Sequence, residues 1–259
     1  MDLKFLKYEK RGHLAYITFN RPEVMNSIHP PTAEEMGDVL DDFARDQEIW
    51  IGVVTGAGEK AFSAGNDLKY TATHSMKGSK PARGGFGGFV ARFDIHKPLI
   101  AAVNGFALGG GFEVAMACDI VVAAEHARFG LPEPRVGLIA MGGGVHRLPR
   151  QIPLKIAMGM MLTGKHITAQ QAHALGIVNE VVPLKDLFPT VERWAAEIME
   201  CSPIAVQATK EAALRGLDMP LERAVEEKFP GLYKLLHSHD VVEGPRAFTQ
   251  KRKPQWKNE

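Results

Sequence analysis

Apolar and polar residues alternate along Ala15-Tyr16-Ile17-Thr18-Phe19, the period of a strand with one buried face. With Phe5 to Lys10 before it, this predicts two strands joined at Arg11-Gly12-His13. The period then changes. Met36, Val39, Leu40 and Phe43 fall on one face of a helix. Thr32 followed by Glu35 reads as a capping box that starts this helix at Ala33. Ile49 to Thr55 is apolar nearly throughout and stops at Gly56, the pattern of a strand buried on both faces. Leu99 to Val103 repeats it, and Ile120 to Ala124 and Arg128 to Gly130 predict two shorter strands. Between 74 and 88 no period holds. Gly78, Ser79, Pro81, Gly84, Gly85, Gly87 and Gly88 predict a mobile loop inside a domain, because strand patterns resume beyond it.

From residue 153 helical spacing dominates, over about 153–162, 169–175, 184–200, 203–215, 220–237 and 241–250. One strand, Ile177 to Val182, interrupts it. Thr168 with Gln171 predicts a second capping box, and Ser202-Pro203 a helix start. Alternating strands and helices followed by a helical layer define an α/β fold. We divide the chain into a core at 1–200, which carries the chemistry, and a helical region at 201–259. Apolar stripes on those last helices predict packing on a second copy, hence a homo-oligomer.

Composition adds limits. At 259 residues, 45% hydrophobic and 24% charged, the chain has the make-up of a globular enzyme. It can bury roughly three-quarters of its unfolded surface, so no disulfide or structural metal is required. Its 31 basic and 30 acidic residues leave a net charge of +1, which argues against nucleic-acid or membrane-surface binding. Cys118 and Cys201 lie in apolar helical contexts and are expected to be reduced core residues. No apolar run reaches the roughly 18 residues of a membrane span. The polar Met1 to Lys10 segment is no secretory h-region, so a cytoplasmic location is expected. Scattered histidines without H-E-x-x-H or C-x-x-C spacing give no metal site.

Three segments can carry chemistry. Ala61-Phe62-Ser63-Ala64-Gly65-Asn66-Asp67 follows a buried strand, and its small side chains admit a ligand close to the backbone. An ordinary turn capped by Asp67 explains the same residues. Gly56-Ala57-Gly58-Glu59-Lys60-Ala61 also fits G-x-G-x-x-A, but no acid lies between Asp67 and Asp94 to hold a ribose. The second segment runs from Val103 through Gly109-Gly110-Gly111 to Glu113. Three glycines at a helix start expose its unpaired amides, and no G-K-[ST] follows to make it a phosphate loop. One amide here and one near Asn66 could form an oxyanion hole. Glu113 suits the helix dipole, but it stands on an otherwise apolar helix, where poor solvation raises a carboxyl's pKa. In the third, Glu133 lies between Pro132 and Pro134. Alone it reads as a loop acid. With Glu113 it completes the two carboxyls that addition of water requires. Gly142-Gly143-Gly144 permits a loop to pack tightly nearby.

At these segments the chain resembles the crotonase family, also called the enoyl-CoA hydratase/isomerase family. The likeness runs through Asn20-Arg21-Pro22 with Asn26, Ala61 to Leu68, Lys97-Pro98 to Gly105, and Ala107 to Glu113. It continues through Cys118-Asp119, Phe129 to Glu133 with Gly137, Gly143-Gly144 to Pro149, Thr163-Gly164, Ala172 to Val178, and the ending Glu243-Gly244 to Lys251-Arg252. Each piece is weak alone, and the ordered set is specific. Residues 64–69, 110–113 and the tail from Leu236 to Trp256 look most like the carnitinyl-CoA dehydratase branch, which hydrates crotonobetainyl-CoA. The glycine-rich loop, Glu23-Val24-Met25 without the Lys often found after Arg-Pro, and Ala140-Met141 in place of a Pro-containing stretch depart from the family pattern.

The resemblance implies a spiral of ββα turns with a C-terminal helical trimerisation region, assembled as a homotrimer or a hexamer. It implies an acyl-CoA substrate and no cofactor beyond the substrate's own coenzyme A. The amides of Asn66 and Gly110 would hold the thioester oxygen. Ala64 would lie beside coenzyme A, with Gly65 and Asp67 completing that stretch of the binding surface. Phe248 and Lys251 would reach a neighbour's coenzyme A. Glu113 and Glu133 would be the catalytic acids of a hydro-lyase, with the division of roles between them open. A double-bond isomerase using Glu133 alone, and a non-catalytic binding protein on the same fold, are the alternative functions.

Overall fold

The structure is a computed structural model that describes residues 1–74 and 83–259, so part of the expected 74–88 loop lies outside the described residues. The strands are β1 (Leu6–Arg11), β2 (Leu14–Phe19), β3 (Ile51–Gly56), β4 (Ala61–Ser63), β5 (Leu99–Val103), β6 (Phe106–Leu108), β7 (Ile120–Ala124), β8 (Arg128–Gly130), β9 (Ile167–Thr168) and β10 (Glu180–Val182). The helices are α1 (Pro30–Arg45), α2 (Leu68–Thr73), α3 (Gly110–Ala117), α4 (Gly144–Gln151), α5 (Leu154–Thr163), α6 (Ala169–Ala174), α7 (Leu187–Met199), α8 (Pro203–Gly216), α9 (Leu221–Glu226), α10 (Pro230–Leu236) and α11 (Asp240–Thr249).

The chain forms two compact units, one of residues 1–92 and 99–191, the other of 93–98 and 192–259. In the first, a six-stranded sheet has the order β1-β2-β3-β5-β7-β10, and a four-stranded sheet the order β4-β6-β8-β9. The β1/β2 and β8/β9 pairs are antiparallel and the rest parallel. Each central strand of the larger sheet is followed by a strand of the smaller sheet and then a helix: β3-β4-α2, then β5-β6-α3. This is the ββα spiral turn, and the α/β expectation holds. Every residue of β3 and β5 is buried, as their unbroken apolar pattern requires.

Several local expectations are corrected. Helix α1 begins at Pro30, with His29 as N-cap accepting from Thr32 N. Two prolines in its first turn suit that position, where no amide has an intrahelical partner. Glu35 makes no capping box. Its carboxylate accepts the amides of Lys4, Phe5 and Leu6 and ties down the N-terminal segment. The single helix expected over 220–237 is two, because Pro230 cannot donate to a preceding carbonyl and Phe229 before it is extended. The Thr168 and Gln171 capping box is present with both of its bonds. Cys118 is buried as expected but Cys201 is exposed, and both are free thiols.

In the second unit, buried acids fasten the C-terminal tail. Asp240 accepts from Ser202 Oγ at 2.7 Å and Lys257 N at 3.0 Å. Glu243 receives both terminal nitrogens of Arg252, at 2.6 and 2.9 Å, and Gln255 N at 2.8 Å. Among the described residues no helix is long and apolar enough to cross a membrane.

Candidate active site

The smaller sheet and the start of α3 build the site. Residue 65 has a φ of +82°, a conformation suited to glycine, and a methyl group there would stand 2.6 Å from Leu108 O and 2.7 Å from Gly110 N. The β4–α2 turn and the first residue of α3 are thus pressed backbone to backbone. Among the described residues, neither Asn66 N nor Gly110 N donates to a protein acceptor. Gly110 is the first residue of its helix, where amides have no intrahelical acceptor. Two adjacent amides are therefore available to one ligand oxygen.

The turn is fixed from behind. Ser63 Oγ donates to Asn26 O at 2.8 Å and accepts from Gly65 N at 3.1 Å. Ala64 N donates to Met25 O, leaving its side chain half-exposed. Asp67 caps α2 through Tyr70 N at 3.0 Å and pairs with Arg21 at 2.9 Å. Its carboxylate is engaged in holding the turn.

Glu113 lies one helical turn into α3, where its own amide donates to Gly109 O. Its side chain is buried and accepts Gly144 N at 2.7 Å. A methyl group on Gly142 would overlap its other oxygen, so the loop before α4 closes directly on the carboxylate. Burial pushes Glu113 up to about 7. The amide of Gly144 opposes that rise, the charge of Glu133 adds to it, and Arg147 and the amide of Gly142 oppose it.

Glu133 opens a 3₁₀ turn, Glu133–Val136, that ends at Gly137 in a left-handed conformation. It is half-buried and not the exposed loop acid that its sequence context suggests. Its Oε1 lies against Gly109, where a methyl group would stand 2.9 Å away. Its Oε2 is buried and has no hydrogen-bond partner among the described residues. Burial raises its pKa as well.

Glu113, Glu133, Gly110 and the 64–67 turn are thus gathered around the start of α3. Phe248 and Lys251 lie in the other unit, Phe248 on α11 with its ring exposed and Lys251 just beyond it with φ +51°. Gly144, in the glycine run expected to pack a loop near the site, anchors Glu113, and two further neighbours were not foreseen from sequence: Phe86, whose ring rests on Gly110, and Arg147, which donates to Val90 O at 2.6 Å. Among the described residues, no cluster of three or more His, Cys, Asp or Glu could hold a metal.

Residues 9–259 match the family described as enoyl-CoA hydratase/isomerase. The chain is similar to a carnitinyl-CoA dehydratase from Citrobacter koseri, 41% identical over 256 residues, covering 97% of this chain and 98% of that one. A carnitinyl-CoA dehydratase from Escherichia coli K12 is equally similar, at 41% with the same coverage. Among solved structures, an enoyl-CoA hydratase from Mycobacterium marinum is 38% identical with a TM-score of 0.91, covering 98% of this chain and 99% of that one.

Proposed function

The chain belongs to the enoyl-CoA hydratase/isomerase family, and from that premise we propose that it interconverts an enoyl-CoA and its 3-hydroxyacyl-CoA by adding or removing water. One observation carries the reading: a buried and a half-buried carboxyl, both with raised pKa values, flank the start of a helix that offers two unpartnered amides. Hydration needs one carboxylate and one carboxylic acid at the same time. Burial raises both acids above their ordinary values, and the charge of Glu133 raises Glu113 further, which favours such a mixed state.

In the proposed reaction the thioester oxygen accepts from Asn66 N and Gly110 N, which stabilise the enolate as it forms. Glu113 takes a proton from water, whose oxygen bonds to the β-carbon. The electron pair of the double bond moves toward the thioester, and protonated Glu133 delivers its proton to the α-carbon. Proton transfer between the two acids restores the starting state. The unpartnered Oε2 of Glu133 favours this division of roles, because a group that exchanges a proton with substrate carbon has to be free of protein partners. Isomerisation would need only one acid, and the second buried carboxyl at 113 favours hydration.

The screen that tests this offers the protein crotonyl-CoA, branched and aromatic 2-enoyl-CoAs, carnitinyl-CoA and a 3-enoyl-CoA. Hydroxyacyl or dehydrated products support the reading. Conversion of the 3-enoyl-CoA alone, without water addition, overturns it. The same reading carries a homotrimer or a pair of trimers, with Phe248 and Lys251 reaching a neighbour's coenzyme A. Exposed Leu217, Leu221, Val225, Leu236 and Phe248 favour a covered face there, and light scattering measures the mass.

A further inference from the structure

Residues 83–88 read as a loose loop in sequence, yet they hold one aromatic ring against the reacting groups. Gly84, Gly85, Gly87 and Gly88 all have positive φ, from +66° to +83°, so the backbone winds tightly on both sides of Phe86. Ala91 N donates to Gly84 O at 2.8 Å and Gly88 N to Gly85 O at 3.0 Å, closing the turn. A methyl group on Gly88 would overlap Ala33 O of α1, which seats the turn on that helix. Phe89 and Val90 behind it are buried. The ring of Phe86 is thereby fixed in place.

Its position spans the site. A methyl group on Gly110 would overlap ring atoms Cε1 and Cζ and stand 2.9 Å from Cδ1. The other end of the side chain, Cβ, would be 3.0 Å from a methyl group on Gly142, the residue that also closes on Glu113 Oε2. The side chain therefore packs between Gly110, whose amide would hold the thioester oxygen, and Gly142, which closes on Glu113. An acyl chain held between Gly110 and Glu113 would have this side chain along one side.

We propose that Phe86 is a specificity-determining residue that walls the acyl site and confines it to short acyl thioesters. The proposal relies on the hydration site above only for where the thioester lies. A rigid wall discriminates by overlap, and about tenfold or more per misfit carbon group is the usual scale in an apolar pocket.

The test measures two ratios in wild type, Phe86→Ala and Phe86→Leu. One is kcat/KM for 2-octenoyl-CoA over 2-butenoyl-CoA. The other is the affinity for octanoyl-CoA over butyryl-CoA, which requires no chemistry. Phe86→Ala is expected to raise both ratios at least about tenfold, and Phe86→Leu, which keeps more bulk, to raise them less. Unchanged ratios in both variants overturn the wall. Should wild type hydrate neither enoyl-CoA while the binding ratio still rises, the hydration reading falls and the wall stands. Should Phe86→Ala fail to fold, a Phe86→Leu binding ratio equal to wild type overturns it.

Discussion

Glu113 and Glu243 are both buried carboxyls, 2% and 5% exposed, and the protein treats them in opposite ways. Glu243, in the helical unit, is held by two nitrogens of Arg252 and the amide of Gln255. Those bonds pull its pKa to about 2, the Arg252 hydrogen bond first among them. Glu113, in the sheet unit, has Gly144 N at 2.7 Å and the like charge of Glu133 nearby, and burial pushes it up to about 7. Two carboxyls with little solvent-exposed surface thus shift in opposite directions, because what surrounds each differs. A carboxylate given a bidentate arginine is a permanent anion that fastens a tail. A carboxyl buried without a full set of donors gains and loses a proton near neutrality.

The contrast can be broken by removing each acid. Glu113→Gln and Glu133→Gln are each expected to cut hydration by about 10²–10⁴-fold, the usual scale of a positioned acid or base. Glu243→Gln is expected to leave it within a few-fold while lowering the melting temperature. Steady-state turnover of crotonyl-CoA and thermal melts measure both.

The next effect is geometric. Gly142→Ala places a methyl group onto Glu113 Oε2 and displaces the carboxylate without touching its chemistry. A loss of about 10²-fold in kcat is expected, as for an ångström-scale misplacement of a reacting group. Unaltered kcat would show that the loop does not set the position of Glu113.

Stability separates the acids by sign. The folded-state pKa of Glu113 lies above its ordinary value of 4.5, so the folded chain holds that proton more tightly. Stability from this group falls as pH rises from about 4.5 to about 7 and is level beyond. Glu113→Gln is therefore expected to be more stable than wild type at pH 8, by roughly 1–3 kcal/mol, and not at pH 4. Glu243 is lowered, so its contribution is present above the ordinary carboxyl range and is lost as pH falls through about 2. Arg252→Leu is expected to lower the melting temperature at pH 7 by several degrees and by less at pH 3, with hydration little changed.

The two acids also differ in how well they could be read from sequence. Glu113 and Glu133 stand on short segments marked by glycines and prolines, whose backbone demands are local. Those segments, the buried strands β3 and β5, and the α/β class were therefore legible. What was not legible depends on partners far along the chain. Glu35 has the spacing of a capping box, but its carboxylate went to amides 29 to 31 residues away. Phe86 sits among glycines whose composition suggests looseness. Only their left-handed turns and the seat on Ala33 show that they hold a ring against Gly110. The tail-fastening role of Glu243 needed Arg252 to fold back beside it.

The most direct measurement is a titration of the side-chain carboxyls by carbon NMR on glutamate-labelled protein, with Glu113→Gln and Glu243→Gln assigning the two signals. A midpoint near 7 is expected for Glu113 and one near 2 for Glu243. A Glu113 midpoint at the ordinary 4.5 would contradict that expectation, because burial without a full set of donors would then have left the carboxyl unshifted and the contrast with Glu243 would lose its cause.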